Sequence, residues 1–174
     1  GCSLFRDVEY AGLGTGVHVR SIKGEYGPFK IKEDIPFFRL NYSKYLQDKV
    51  EAYLKLDYTF GSLHVSPLSI DGELSGHIGS FGVGMKYDLI KNLSLELGGE
   101  FIHADVSAQG KYWSIEDSVL GWGINVGINY NYSINEKIDL FVSGGYNFTD
   151  NISKNANFDF DGSYGTLGLA WYLH

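Results

Sequence analysis

Hydrophobic and polar positions alternate along most of this chain with a period of two. In residues 119–134, VLGWGINVGINYNYSI, the even positions carry Leu120, Trp122, Ile124, Val126, Ile128, Tyr130 and Tyr132. The odd positions carry Val119, Gly121, Gly123, Asn125, Gly127, Asn129 and Asn131. This period marks a β-strand, in which successive side chains leave on opposite faces. The same pattern recurs over 9–20, 36–46, 50–64, 76–89, 92–105, 137–150 and 162–173, and with 118–133 it predicts eight strands. Each has about the ten residues or more that a tilted strand needs to cross a bilayer.

The connections alternate as well. LQDK, IKN and INEK are tight polar turns, whereas SIKGEYGPFKIKEDI and NISKNANFDFD read as connections of about a dozen residues. Short turns on one side and long loops on the other are the mark of an up-and-down meander through a membrane. The predicted fold is therefore all-β, an eight-stranded antiparallel up-and-down transmembrane β-barrel with both chain ends on the short-turn side.

Which row faces inward follows from the charges. In 50–64 the row Ala52, Leu54, Leu56, Tyr58, Phe60 opposes Glu51, Tyr53, Lys55, Asp57, Thr59. In 92–105, Leu93, Leu95, Leu97 and Phe101 oppose Ser94, Glu96, Gly98 and Glu100. A soluble lipocalin-like barrel would turn the oily row inward around an apolar ligand; a transmembrane barrel turns it out to lipid. Glycines in the polar rows (Gly12, Gly14, Gly16, Gly82, Gly84, Gly121, Gly123, Gly127) suit a narrow lumen. Tyr58, Tyr87, Trp122, Tyr130, Tyr132 and Trp171 near the ends of the oily rows suit interfacial girdles. Both favour the transmembrane arrangement.

The lumen row then holds Arg20, Arg39, Lys55, Asp57, Lys86, Asp88, Glu96 and Glu100. A barrel this narrow does not pass solutes freely, so these charges are expected to cross-link as a plug of salt bridges, with opposite signs alternating as in Lys55 and Asp57 or Lys86 and Asp88. A proton or ion path is the alternative use of the same residues.

Composition narrows the partners. Aromatic residues at 16% with 23 glycines and three prolines favour strands over helices or disorder. A net charge of −7 argues against nucleic acid. The one cysteine, Cys2, excludes an internal disulfide. GCS at the start reads either as a processed lipoprotein end with lipid on Cys2 or as an inert thiol, in a periplasmic segment 1–8 preceding the barrel at 9–174. No cofactor motif and no metal motif stands out. The expected partners are outer-membrane lipids, lipopolysaccharide and phospholipid, and other outer-membrane or periplasmic proteins, in a Gram-negative bacterium.

Toward the C-terminus, YNFTDNISKNANFDFDGSYGTLGLAWYL resembles the signature region of the PagL-type lipid A deacylases, and GSFGVGMKYDLIKNLSLELGGEF and VLGWGINVGINYNY are similar to that family's middle strands. The resemblance implies an outer-membrane barrel with serine esterase chemistry, in which a His activates the nucleophile and an acidic residue orients it. Ser153 matches the nucleophile. The His position is Asn151, which cannot take the proton, and Asp161 is the carboxylate nearest to the acidic position. Asn151 and Ser153 also continue the lumen row of Asp139, Ser143 and Asn147, away from lipid.

A second constellation comes from the residues themselves. LHVSP supplies His64 and Ser66, SGHIG supplies His77, and FIHADVS supplies His103, Asp105 and Ser107. Parity puts all of them on the lipid-facing side near the long-loop ends of adjacent strands, which lie only about 4.8 Å apart. A serine triad acting on lipid esters or a His-rich metal site are the chemical readings; polar residues tolerated at headgroup level are the bland one. The replaced His favours a non-catalytic barrel with a structural or partner-binding role. A lipid A or phospholipid acyl hydrolase and a soluble barrel binding an apolar ligand are the alternatives.

Overall fold

The structure, a computed structural model, describes residues 11–26, 29–59, 63–65, 72–110, 113–151 and 157–173. Its long strands are β1 (Ala11–Tyr26), β2 (Phe29–Gln47), β3 (Val50–Thr59), β5 (Gly72–Ile90), β6 (Leu93–Gly110), β7 (Trp113–Ser133), β8 (Ile138–Asn151) and β10 (Gly162–Leu173). Two short strands lie at the long-loop end: β4 (Leu63–Val65) continues the line of β3 along β5, and β9 (Asn157–Asp159) continues the line of β10 along β1. Every pairing is antiparallel between neighbours in the chain's own order, and β10 returns to β1 from Ala11↔Leu173 to Arg20↔Tyr164. The result is the closed eight-stranded up-and-down barrel that the pattern predicts.

Parity is as expected. Leu56 is 53% and Phe101 66% exposed on the outer face, while their neighbours Lys55 and Glu100 are 3% and 4% exposed inside. On β6 the outward apolar row from Leu93 to Phe101 spans roughly 26 Å along the strand at about 3.3 Å per residue, or about 20 Å after tilt, close to the apolar band of membrane barrels.

The turns at the short end are tight for local reasons. Asn92 takes a positive φ of 74°, a conformation that Asn tolerates better than most residues. The Asn135 side chain accepts the backbone N–H groups of Lys137 and Ile138, both at 2.9 Å, which folds the chain back into β8.

Two expectations need correction. First, the long connections are largely strand: residues 21–35, read as a loop, form a ladder from Ser21↔Asp34 to Tyr26↔Phe29, and β6 and β7 stay paired to Gly110↔Trp113. These stretches rise beyond the lipid, where no apolar row is required, so hydrophobic alternation ends before the strand does. Second, the lumen is not polar throughout. Ile22, Ile35, Phe37, Ile78, Ile102, Val119 and Phe160 are buried inside its long-loop end, and Phe141, Ala170 and Tyr172 cluster toward the short-turn end.

Lumen glycines seat two tyrosines. A methyl group on Gly98 would strike the Tyr53 hydroxyl, and one on Gly127 would strike the Tyr164 hydroxyl and the Gly144 carbonyl. Outward-facing Gly144 meets only the Tyr164 carbonyl at 3.5 Å. Gly127→Ala is therefore expected to lower unfolding stability in micelles by about 1–3 kcal/mol, as overpacking does. Gly144→Ala should stay within about 0.5 kcal/mol. Urea titrations of both variants compare them directly.

Candidate functional site

The lumen charges form a connected network. Arg39 on β2 lies opposite Asp57 on β3 in the ladder, and its guanidinium grips the carboxylate with two bonds of 2.6 and 2.7 Å. This planar fork is the strongest geometry open to a carboxylate. Arg39 also donates to Thr166 Oγ1 of β10 at 3.1 Å, and that hydroxyl lies 2.9 Å from Nδ1 of buried His18 on β1. Arg20 of β1 crosses the lumen to Glu100 of β6 at 2.8 Å, with Lys55 of β3 3.7 Å from the same carboxylate. Arg20 further donates to the Phe160 carbonyl at 3.2 Å. Asn125 of β7 donates to both Glu96 and Tyr53, each at 3.1 Å.

The ladders set some of the pairings. Lys86 meets Glu51, its ladder partner, at 3.6 Å, and Asp88 accepts from Tyr45 at 3.1 Å. Lys55 pairs with Glu100, while Asp57 belongs to Arg39. Side chains two apart on one strand are set roughly 7 Å apart, whereas a ladder partner is only about 4.8 Å away, so these two lysines find their counter-ions on other strands. Glu51, Tyr53, Asn125, His18 and Thr166 were not singled out by the sequence as network members. All five lie in the inward row, which was the available signal. Between the charges a space of about 20 Å³, bounded by Arg39, Asn41, Tyr53, Lys55, Lys86 and Glu96, has room for about one water molecule. That is no conduit for solutes.

The second candidate group lies outside the barrel wall. The ladders align His77, Asp105 and Ser118 in one cross-strand row and Ser75, Ser107 and Glu116 in the next. His77, Asp105, Glu116 and Ser118 are exposed. His103 Nε2 lies 3.5 Å from Asp105 Oδ1, and His77 stacks on Tyr58 with ring centroids 6.1 Å apart. Among the described residues no hydrogen bond joins a serine hydroxyl to His77 or His103, and no group of three His, Cys, Asp or Glu is placed to hold a metal. The backbone of His64 pairs with Ser75; its side chain, with Cys2, Ser66, Ser153 and the side chain of Asn151, lies outside the described residues. Asp161 accepts from both the backbone N–H and the hydroxyl of Thr149. Glu116 and Asp117 escaped notice because the sequence pattern starts β7 at residue 118.

No family model matches the chain, and no curated relative does. Solved structures do match in shape. Ail, the attachment invasion locus protein of Yersinia pestis, superposes with a TM-score of 0.67 at 11% identity, over 94% of this chain and 98% of that one. The outer membrane protease OmpT of Escherichia coli gives 0.55 at 12%, over 99% of each chain. Neisserial surface protein A gives 0.52 at 14%, over 94% and 96%. At such identities the likeness is one of fold: this chain has the fold of outer-membrane β-barrels.

The network ranks its own members. Arg39→Ala leaves Asp57 buried without its counter-ion and is expected to cost about 3–5 kcal/mol. Lys86→Ala should cost less, because the Lys86 side chain is 12% exposed and its pair with Glu51 is longer. Equilibrium unfolding of the two variants in micelles measures the order, and an equal or reversed ranking contradicts it.

Proposed function

We propose that this chain is a non-catalytic barrel of the bacterial outer membrane, with its termini on the periplasmic side, that anchors a projecting β-ribbon for contact with a partner. The observation that carries the reading is the continuous apolar outer face around an ion-paired lumen. In water such a face would drive aggregation; against lipid chains it is the ordinary surface of a barrel. Strands rather than helices cross the bilayer, so closure of the sheet satisfies every backbone group there. Among the described residues the ion-paired lumen leaves room for about one water between its charges, which speaks against transport. What remains for function is the surface that stands clear of the lipid, chiefly the upper parts of β5, β6 and β7.

The acyl hydrolase is the second reading, favoured by the His103–Asp105 contact and by the alignment of His77 with Asp105. Among the described residues no serine stands in bonding range of either imidazole, and general-base activation requires one at roughly 2.6–3.2 Å.

Three outcomes are expected of the purified protein. It migrates differently on gels before and after heating, it conducts no steady ion current as single barrels in planar bilayers, and it releases no fatty acid from lipid A in detergent micelles. A monomer soluble without detergent refutes the membrane reading. Acyl release abolished by His103→Ala would promote the hydrolase on the outer wall, and release abolished only by Ser153→Ala would place it at the deacylase-like motif.

A further inference from the structure

Above the apolar belt the barrel wall is interrupted among the described residues. β8 pairs with β7 only from Gly121↔Asn151 downward, whereas β6 stays paired with β7 as far as Gly110↔Trp113. From Trp113 to Leu120, then, β7 has a partner on one side alone among the described residues. The chain after Asn151 is next described at Asn157, whose strand pairs with β1, beyond β8 and β10 from this edge. A strand edge of this kind presents unpaired N–H and C=O groups at the spacing another extended chain needs. Its length is roughly 25 Å at about 3.3 Å per residue.

Charge specifies what would lie there. Against the edge, on the outer face, is an open cleft of about 540 Å³ whose lining includes His77, Asp105, Ser107, Glu116, Asp117 and Ser118. Asp105 and Glu116 present carboxylates on this outer face, Asp117 stands in the inward row with Val119, and among the described residues no Lys or Arg lines the cleft. Asp117 also guards the edge: its carboxylate accepts the backbone N–H of Ser118 at 2.8 Å. A cation drawn to Asp117 competes for the carboxylate that caps this N–H. A neutral strand has no such means of displacing the guard, and an acidic strand is repelled. A polyanion such as the heparin analogue sucrose octasulfate, with which Ail forms a complex, is the wrong sign for this surface.

We propose that the edge of β7 between Trp113 and Leu120 takes up an extended, lysine- or arginine-bearing polypeptide segment as an added strand, with its basic side chains on the outer face toward Asp105 and Glu116. The proposal rests on the partner-binding reading and supplies its site and partner class.

The probe is a fluorescent peptide of about eight residues, alternating lysine and threonine, titrated against the barrel in nanodiscs of zwitterionic phosphatidylcholine. Binding is expected for this peptide and not for its glutamate-threonine counterpart. It should vanish when alternate backbone nitrogens along the pairing edge of the peptide are methylated, and weaken about tenfold in Asp105→Asn/Glu116→Gln. Ser118→Pro, which removes an edge N–H without changing charge, should abolish it in protein that still shows heat-modifiable migration.

Absence of binding up to about millimolar peptide overturns the proposal. Equal binding of the methylated peptide overturns strand addition, and equal binding by the Asp105/Glu116 double variant overturns the charge argument. In each of these cases a heat-modifiable barrel leaves the membrane reading standing, whereas a barrel soluble without detergent removes that reading whatever the peptide does.

Discussion

Closure of the sheet is the constraint from which the other features follow. Hydrocarbon offers no hydrogen bonds, so a strand crossing it must have both edges paired, and the last strand must return to the first. The β1–β10 seam from Ala11↔Leu173 to Arg20↔Tyr164 provides this return. Once the wall is closed, each residue faces either lipid or lumen according to parity alone. Leu, Val and aromatic residues take one row; the other row must fill a narrow cylinder without leaving charges unpaired. Gly98 and Gly127 are small because Tyr53 and Tyr164 occupy the space a side chain would need.

Ion pairs are an unexpected filling on energetic grounds alone. Taking two charges from water costs several kcal/mol per ion, and well-packed apolar residues often stabilise as well or better. Apolar filling is in fact used at the long-loop end, around Phe37, Ile102 and Phe160. What ion pairs add is discrimination between registers. Arg39 opposes Asp57 and Lys86 opposes Glu51 directly in their ladders. A one-residue slip would turn one member of each pair out toward lipid, and a two-residue slip would separate the charges along the lumen. Arg20 and Glu100 extend this check across the barrel, between strands that are not neighbours.

These physical roles explain what could be read from the sequence. Strand number, order, short turns and inward parity were legible because lipid enforces a period of two on β3, β8 and β10 wherever they cross it. The full lengths of β1, β2, β6 and β7 were not, since residues 21–35 and 106–117 stand beyond the lipid and have no apolar row to mark them. Likewise the face of Lys86 was legible while its partner was not: that Glu51 meets it depends on the β3–β5 register, which spans the connection between those strands. On the outer wall, His77, His103, Asp105 and Ser107 were correctly assigned a common face. Glu116 completes their cross-strand row only because β7 continues past the predicted start.

The same constraint relaxes above the membrane, and the relaxation locates function. Water satisfies an unpaired edge, and the described β7–β8 ladder ends at Gly121↔Asn151, beside Leu120 at the top of β7's outer apolar row. An edge exposed in water brings the opposite hazard, because any other extended chain can pair with it. Charged side chains beside the edge limit that hazard, and Asp117 does so directly by occupying the Ser118 N–H. A carboxylate guard is selective, however: it excludes acidic strands and discourages neutral ones, while a basic strand competes for it. Protection against indiscriminate pairing and attraction of a basic partner thus both come from carboxylates at one edge, Asp117 on its inner face and Glu116 on its outer face, which the bilayer no longer obliges the barrel to close.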